Sequence, residues 1–177
     1  MTTPPFSGKI RQFAYVVHDL DATIAAWLDL GVGPWFVLRD FRVTGGQYHG
    51  EPCEPVLSLA FANSGEMQIE LIAVADSTPS VYRDFLDSGK EGFHHIAYWT
   101  RDYSAEHERA LNLGWECVQA GPQRFAYYQT ALQIYSFVEL TEVTDRLEGF
   151  TDAMRAASMN WDGVSEPVRP YPPVTAQ

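Results

Sequence analysis

Four polar residues within otherwise apolar segments are the candidates for chemistry in this sequence: Gln12, Glu70, His95 and Glu139. Each lies in a run of β-branched, aromatic or other apolar residues that favours a strand. A carboxylate in such a strand is costly to bury unless it is paired, hydrogen-bonded or bound to a metal. One amide, one imidazole and two carboxylates offer the mixture of oxygen and nitrogen ligands that suits Zn, Co, Ni, Mn or Fe(II).

Strand alternation predicts that these four side chains share one face of a sheet. Gln12 and His95 each share a face with an alanine two residues later, whereas their direct neighbours face the other way. Glu70 and Glu139 are each flanked by two apolar residues of the opposite parity. The same alternation predicts that His94 lies on the opposite, packed face as a structural residue. If the sheet curves with the polar face inside, the four candidates meet in a cup. The alternative is a sheet with one solvated face, which carries such residues without a function.

The two halves of the chain are similar to each other. Aligning Gln12 with His95 also pairs the alanine, tyrosine and aspartate that follow each of them. A second alignment, which differs from the first by an insertion near Gly45, superposes the apolar-Glu-Leu segments at Glu70 and Glu139. Two copies of one supersecondary unit are the simplest explanation.

Periodicity and turn residues indicate the elements that must position these residues. Each half is predicted to be β-α-β-β-β, and a long polar loop from Arg42 to Pro55 interrupts the first half. A further helix is expected from about Asp145 to Trp161. The predicted segments are a proline-rich lead (1–8), a first module (9–75), a connector with a short helix (76–92), a second module (93–142), and a C-terminal helix and tail (143–177).

Composition excludes several classes of partner. The chain has a net charge of −11, and it lacks the basic stripe that a nucleic acid requires. No window approaches the roughly 20 apolar residues of a membrane span, and the N-terminus has no signal-peptide pattern. The two cysteines, Cys53 and Cys117, are too few for a disulfide framework. We therefore expect a cytoplasmic protein without a nucleic-acid or membrane partner.

Three segments resemble the vicinal oxygen chelate superfamily, which includes glyoxalases, methylmalonyl-CoA epimerases, extradiol dioxygenases and bleomycin-resistance proteins. They are QFAYVVHDL from Gln12, GFHHIAY from Gly92, and the paired strands around Glu70 and Glu139. The His-His-Ile-Ala segment is most similar to the epimerase-like branch. The resemblance implies an α+β fold in which two tandem βαβββ modules form a curved mixed sheet, shaped as a cup around a divalent metal ion.

The resemblance also implies a set of metal ligands, which fall here on Gln12, Glu70, His95 and Glu139. Glutamine at position 12 and glutamate at position 70 depart from the epimerase pattern and resemble a glyoxalase I site in an epimerase-like chain. We therefore expect a metal-dependent isomerase or lyase that acts on a small carbonyl or thioester substrate. Glu139 would remove the proton next to the carbonyl, and Glu70 would serve the opposite face.

Other residues are candidates for contact with the substrate. These are Trp35, Trp99, Arg124, Tyr127 and His49, although each aromatic side chain can equally fill the core and the others can be solvated. Arg124, Lys90 and Arg101 are candidates for binding an anionic group of the substrate. Two alternatives stay open: a metal-free binding protein of the bleomycin-resistance type, and an extradiol-type dioxygenase, which is disfavoured because it needs two histidines. The resemblance implies a homodimer as the expected assembly.

Overall fold

A single mixed sheet of 11 strands runs through the computed structural model, which describes residues 4–122, 124–129 and 137–171. The first half contains β1 (Ile10–Val16), α1 (Leu20–Asp29), β2 (Trp35–Arg42), β3 (Gly46–Tyr48), β4 (Glu51–Cys53), β5 (Val56–Ser64) and β6 (Met67–Val74). The connector forms α2 (Val81–Asp87). The second half contains β7 (Gly92–Thr100), α3 (Tyr103–Asn112), β8 (Glu116–Gly121), β9 (Phe125–Gln129) and β10 (Phe137–Glu142). The last elements are α4 (Asp145–Met159) and β11 (Val168–Pro170).

The strand order is β11-β2-β5-β6-β1-β7-β10-β9-β8-β3-β4. In each half the first strand pairs in parallel with the last one, β1 with β6 and β7 with β10. The two first strands, β1 and β7, pair antiparallel at the centre and join the halves. This arrangement confirms the predicted α+β fold of two βαβββ units plus a C-terminal helix.

The structure differs from the sequence prediction in the loop between Arg42 and Pro55. This segment contains the β3–β4 hairpin, whose Gln47 and Tyr48 pair with β8 of the other half. Each strand is only three residues long, β3 begins at Gly46 and β4 has Pro52 at its centre, so alternation gives no clear signal and the loop prediction missed both. The predicted strand from Ile134 begins outside the described residues, and the described part of it is β10.

Helices cover the outer face of each half. Leu20 and Ile24 of α1 pack against the first half, and Ala110 of α3 packs against the second. Side-chain caps begin α1 and α4: Asp19 accepts a hydrogen bond from the Ala22 N–H, and Thr144 accepts one from the Leu147 N–H. The inner face is divided between α2, which packs into the core there, and α4. A cavity is left between the sheet and α4.

Among the described residues, none of the helices has the length and apolar character needed to span a bilayer.

Candidate metal centre

The four central strands each carry one of the predicted ligands: Glu70 on β6, Gln12 on β1, His95 on β7 and Glu139 on β10. Two fully buried alanines lie between them. Ala14 on β1 pairs with Glu70 on one side and with His95 on the other. Ala97 on β7 pairs in the same way with Gln12 and Glu139. Paired residues point to the same face, so the small methyl groups leave space in which the longer side chains converge.

Three of the four side chains form one buried cluster. Ligand atoms of Glu70, His95 and Glu139 all lie within 4.8 Å of one another. The His95 Nε2 atom is 3.0 Å from Glu139 Oε2 and 3.8 Å from Glu70 Oε2. The His95 side chain is fully buried, and both carboxylates are about nine-tenths buried. The structure thus brings an imidazole and two carboxylates from both halves to one point.

Gln12 lines the same cavity but is engaged with a neighbour. Its Nε2 donates a hydrogen bond of 2.8 Å to Oε1 of Gln68, a buried residue on β6. This bond uses the amide nitrogen and leaves the carbonyl oxygen of Gln12 available, which is the atom that a metal would bind. Gln68 was not predicted, although its parity with Glu70 was a signal for the same face.

The electrostatics of the cluster fit a cation. Burial, and then the charge of Glu139, raise the pKa of Glu70 well above its usual value. The Thr141 hydroxyl donates a 2.9 Å hydrogen bond to Glu139 Oε1. The buried His95 Nε2 has no hydrogen-bond partner among the described residues, because its 3.0 Å approach to Glu139 is not aligned as a hydrogen bond. A divalent ion would neutralise the two carboxylates and give this nitrogen a partner, so the residues present fit a metal.

A β-bulge explains why His94 is not where alternation predicted it. Ala14 pairs with His95, but the next residue, Tyr15, pairs with Phe93, so His94 is the extra residue on β7. The bulge turns His94 to the inner face beside His95, where α2 covers it. His94 Nε2 is 3.3 Å from the Val81 carbonyl oxygen. Burial, and then the proximity of His95, hold the pKa of His94 well below its usual value.

Two tyrosines lie below the cluster on the α2 side. The hydroxyls of Tyr82 and Tyr127 are hydrogen-bonded to each other at 2.9 Å. The Tyr127 ring packs edge-on against His95, with centroids 4.9 Å apart. Burial, and then the charge of Glu139, raise the pKa of each tyrosine hydroxyl well above the usual value for tyrosine. Both therefore stay protonated, and they restrain the cluster without neutralising it.

The cavity above the cluster has a volume of about 140 Å³ and is partly covered by the C-terminal segment. Its floor and sides come from the inner face of the sheet, including Trp99 and Phe61. Its roof consists of three residues of α4 and one that follows β11: Leu147, Thr151, Met154 and Tyr171. The sequence predicts a helix here, whereas the place of α4 over the cluster is a feature of the tertiary structure.

Of the predicted substrate contacts, Trp99 lines the cavity and Tyr127 lies beside His95. The other three lie elsewhere. Trp35 is fully buried in the core beneath α1, and its Nε1 donates to the Val32 carbonyl. Arg124 forms a 3.0 Å ion pair with Glu142. His49 occupies an exposed turn with a positive φ of 48°. The structure brings none of these three to the cluster.

Comparison with known proteins gives one family match and several similar structures. The family model described as Glyoxalase/Bleomycin resistance protein/Dioxygenase superfamily matches residues 11–130. No curated protein sequence matches the chain. A methylmalonyl-CoA epimerase from Mycobacterium tuberculosis is 21% identical with a TM-score of 0.57, over 84% of this chain and 96% of that chain.

Two further structures are similar at a comparable level. A hypothetical protein from Bacillus halodurans C-125 is 17% identical with a TM-score of 0.57, over 79% of this chain and 97% of that chain. A Streptomyces coelicolor methylmalonyl-CoA epimerase in complex with 2-nitronate-propionyl-CoA is 19% identical with a TM-score of 0.54, over 78% and 96%. At these identities the likeness shows a shared fold.

Proposed function

The chain belongs to the glyoxalase/bleomycin resistance/dioxygenase superfamily, and from this premise we propose that it is a metal-dependent isomerase or lyase. It would move a proton at the carbon next to the carbonyl of a small hydroxycarbonyl or thioester substrate. The observation that carries the proposal is the buried cluster of Glu70, His95 and Glu139, in which His95 Nε2 has no hydrogen-bond partner among the described residues.

The metal would be held by the Gln12 carbonyl oxygen, the two carboxylates and His95 Nε2. When bound, a divalent ion supplies Lewis-acid stabilisation of the negative charge that develops on the substrate oxygens. Oxygen and nitrogen ligands without a thiolate are compatible with Zn, Co, Ni, Mn or Fe. Titration of the metal-free protein with each of these ions would show which one binds most tightly.

The carboxylates are the groups that would move the proton. Glu139 is held in place by the Thr141 hydroxyl, so one of its oxygens is oriented while the other faces the cluster. We assign the removal and return of the proton to Glu139, and the opposite side of the substrate to Glu70. General acid–base catalysis by one such group contributes about 10²–10⁴-fold to a rate. The residues of α4 and Tyr171 that line the cavity would limit the access of water to the reacting carbon from their side.

The substrate would occupy the cavity beneath α4. A volume of about 140 Å³ is below the range of about 300–1,000 Å³ that is typical of ligand sites. A cavity of this size therefore suits only the reacting part of a substrate. A neighbour of the same fold is titled as a complex with a propionyl-CoA derivative. A thioester is for this reason one substrate class to test, beside free hydroxyketones and their thiol adducts.

Arg11 is a better candidate for binding an anionic group of the substrate than the two arginines predicted from sequence. It is the extra residue of a second bulge, because Ile10 pairs with Tyr98 while Gln12 pairs with Ala97. Its guanidinium lies 4.9 Å from the ring centroid of Trp99, which lines the cavity. Among the described residues Arg11 forms no ion pair, so none of their carboxylates neutralises its charge.

The two predicted arginines are already occupied, in contrast to Arg11. Arg124 is paired with Glu142, and Arg101 with Asp145 and Glu148. We propose that Arg11 binds an acidic group of the substrate. Arg11→Met should raise KM for an acidic substrate about tenfold or more with little change in kcat, whereas an unchanged KM would exclude this role.

The metal-free alternative predicts that Glu70 and Glu139 are solvated, or are satisfied by tyrosine and backbone donors. Instead Glu70 and Glu139 are about nine-tenths buried, and the Tyr82 and Tyr127 hydroxyls bond to each other. A dioxygenase would need two histidines among the ligands, and His95 is the only one in the described cluster. Both observations support the isomerase or lyase proposal.

The test is proton exchange with solvent at the carbon next to the carbonyl. Chelator-treated protein is titrated with Zn, Co, Ni or Mn, and deuterium incorporation is followed by NMR for a panel of hydroxyketones, their thiol adducts and acyl thioesters. We expect exchange only in metal-loaded protein, and a loss of about 10²-fold or more in Glu139→Gln. The exposed Glu108→Gln is the matched control. Protein that binds no metal at any pH would favour the binding-protein alternative.

The expected homodimer and cytoplasmic location stay predictions. Sedimentation analysis of the metal-loaded protein at several concentrations would measure the assembly directly.

A further inference from the structure

We propose that His94 is a positioning residue that fixes the tautomer of His95 and thereby aims an unprotonated nitrogen at the metal. This inference rests on the proposed metal-dependent function, but its central claim concerns the protein alone. The evidence is a chain of two polar contacts that runs from the start of α2 to the cluster. It leads from the Val81 carbonyl through His94 to His95.

The first contact determines the second. A carbonyl oxygen only accepts hydrogen bonds, so the Nε2 of His94, 3.3 Å from the Val81 oxygen, must carry the proton. In a neutral ring the Nδ1 of His94 is then an acceptor. It lies 2.9 Å from the Nδ1 of His95, which must therefore donate. A neutral His95 that donates through Nδ1 has a bare Nε2.

The bare nitrogen points at the cluster. The Nε2 of His95 lies 3.0 Å from Glu139 Oε2 and 3.8 Å from Glu70 Oε2. A lone pair that faces two carboxylate oxygens is repelled unless a cation lies between them. The same lone pair is the form in which histidine binds a metal. The other tautomer would direct an N–H into the site and would compete with the ion.

Neighbouring contacts hold both Val81 and His94 in place. Val81, the first residue of α2, is anchored because its N–H donates to Oε1 of the buried Gln119 at 3.0 Å. His94 is itself fully buried. Phe85 and Phe137 enclose its ring, each with a centroid 5.0 Å from that of His94. A ring packed in this way cannot rotate to present its other nitrogen.

Both bulges then have an assigned role. In each half the extra residue precedes the ligand of the first strand, Arg11 before Gln12 and His94 before His95. A bulge turns both residues of such a pair towards the inner face. The bulge at His94 thus provides the ligand and the residue that orients it from consecutive positions. Partners of this kind typically change metal affinity by about 10–100-fold when they are removed.

The first test measures tautomers in the metal-free protein. Long-range ¹H–¹⁵N correlation spectra of the full chain, labelled on histidine, report which ring nitrogen of each of the five histidines is protonated. Spectra of His94→Asn and His95→Asn assign the signals. We expect protonated Nδ1 and bare Nε2 in His95, with the reverse in His94. A proton on Nε2 of His95 would overturn the proposal.

The second test compares two variants of nearly equal size by zinc titration calorimetry. In His94→Asn the side-chain oxygen can accept from the His95 Nδ1–H, whereas His94→Leu offers no acceptor. We expect His94→Leu to bind Zn²⁺ about 10–100-fold more weakly than the wild type, and His94→Asn to recover most of the loss. Equal affinity in the leucine variant and the wild type would overturn the proposal.

The two tests separate the possible failures. If wild-type protein with the expected tautomers binds neither zinc nor another divalent metal, the proposed function fails and the tautomer assignment stands. If it binds zinc with the opposite tautomer in the metal-free state, the proposed metal site stands and the role of His94 fails. Circular dichroism of each variant shows whether it is folded before titration. The tautomer measurement on the wild type does not depend on any variant.

Discussion

Replacement of Glu70 by glutamine should make the metal-free protein more stable than the wild type. It should also reduce the stabilisation that a bound metal provides. Glutamine has nearly the same shape as glutamate and lacks its charge. In the metal-free folded protein the carboxylates of Glu70 and Glu139 converge on His95 and repel each other. The unfolded chain separates them. The substitution therefore removes a cost that exists only in the folded state.

The separation of the carboxylates gives the size of the effect. Two unit charges at 4.8 Å, the upper limit for the ligand atoms of the cluster, repel by about 3.5 kcal/mol at an effective dielectric constant of about 20. Partial protonation of Glu70 relieves part of this repulsion. We expect Glu70→Gln to raise the free energy of unfolding by about 2–3 kcal/mol at pH 8.5, which corresponds to about 4–12 °C in Tm.

The sign of the pH dependence follows from the raised pKa of Glu70. Between the ordinary carboxyl pKa of the unfolded chain and the raised pKa of the folded one, the folded protein binds more protons. The contribution of Glu70 to stability is therefore fully present below the unfolded pKa and is lost as the pH rises through the folded pKa. The advantage of Glu70→Gln should be below about 0.5 kcal/mol at acidic pH and should grow as the pH rises.

Urea unfolding of chelator-treated protein between pH 5 and pH 8.5 measures this difference, with Glu108→Gln as the exposed control. The same experiment with Zn²⁺ at 100 times its Kd should stabilise the wild type by about 2.7 kcal/mol, and Glu70→Gln by clearly less. Metal-free Glu70→Gln that is no more stable than the wild type at pH 8.5 would refute the claim that the two carboxylates repel in the folded protein.

Three further substitutions test the packing around the cluster. Ala14→Val should cost about 1–3 kcal/mol, because a larger side chain overfills a fully buried position beside the cluster, and it should weaken zinc binding; full zinc affinity would contradict the role of the alanine. Met154→Ala should cost about 2 kcal/mol or more in urea unfolding and open the roof to larger substrates, whereas exposed Met159→Ala should stay within about 0.5 kcal/mol. Thr141→Val should lower zinc affinity through the lost hydrogen bond to Glu139, worth roughly 1.5–3 kcal/mol for a charged acceptor, and Thr141→Ser should retain it.

Much of the fold was predictable because it rests on local pattern. The alternation that placed Glu70 and Glu139 on one face depends on the two-residue period of a strand. The duplicated order of elements predicted two equivalent halves, and equivalent halves bring equivalent residues to a common centre. Neither inference requires knowledge of how the halves are paired.

The predictions that the structure does not match share a different cause. His94 was expected on the packed face, but a single extra residue on β7 reverses the alternation, and such a bulge has no signature in the residues around it. The β3–β4 hairpin lies within a loop rich in glycine and proline, and it joins a strand of the other half. Trp35 was a candidate for the site, but a tryptophan that fills a core has the same local pattern as one that lines a cavity.

The sequence by itself determined which side chains could bind a metal and that they belong to one face, because residue identity and strand period are local properties. The pairing of β1 with β7, the bulge at His94 and the position of α4 over the cavity were decided by tertiary structure. These features depend on contacts between residues far apart in the chain. They determine how closely the carboxylates approach, which nitrogen of His95 is free and how large a substrate can enter.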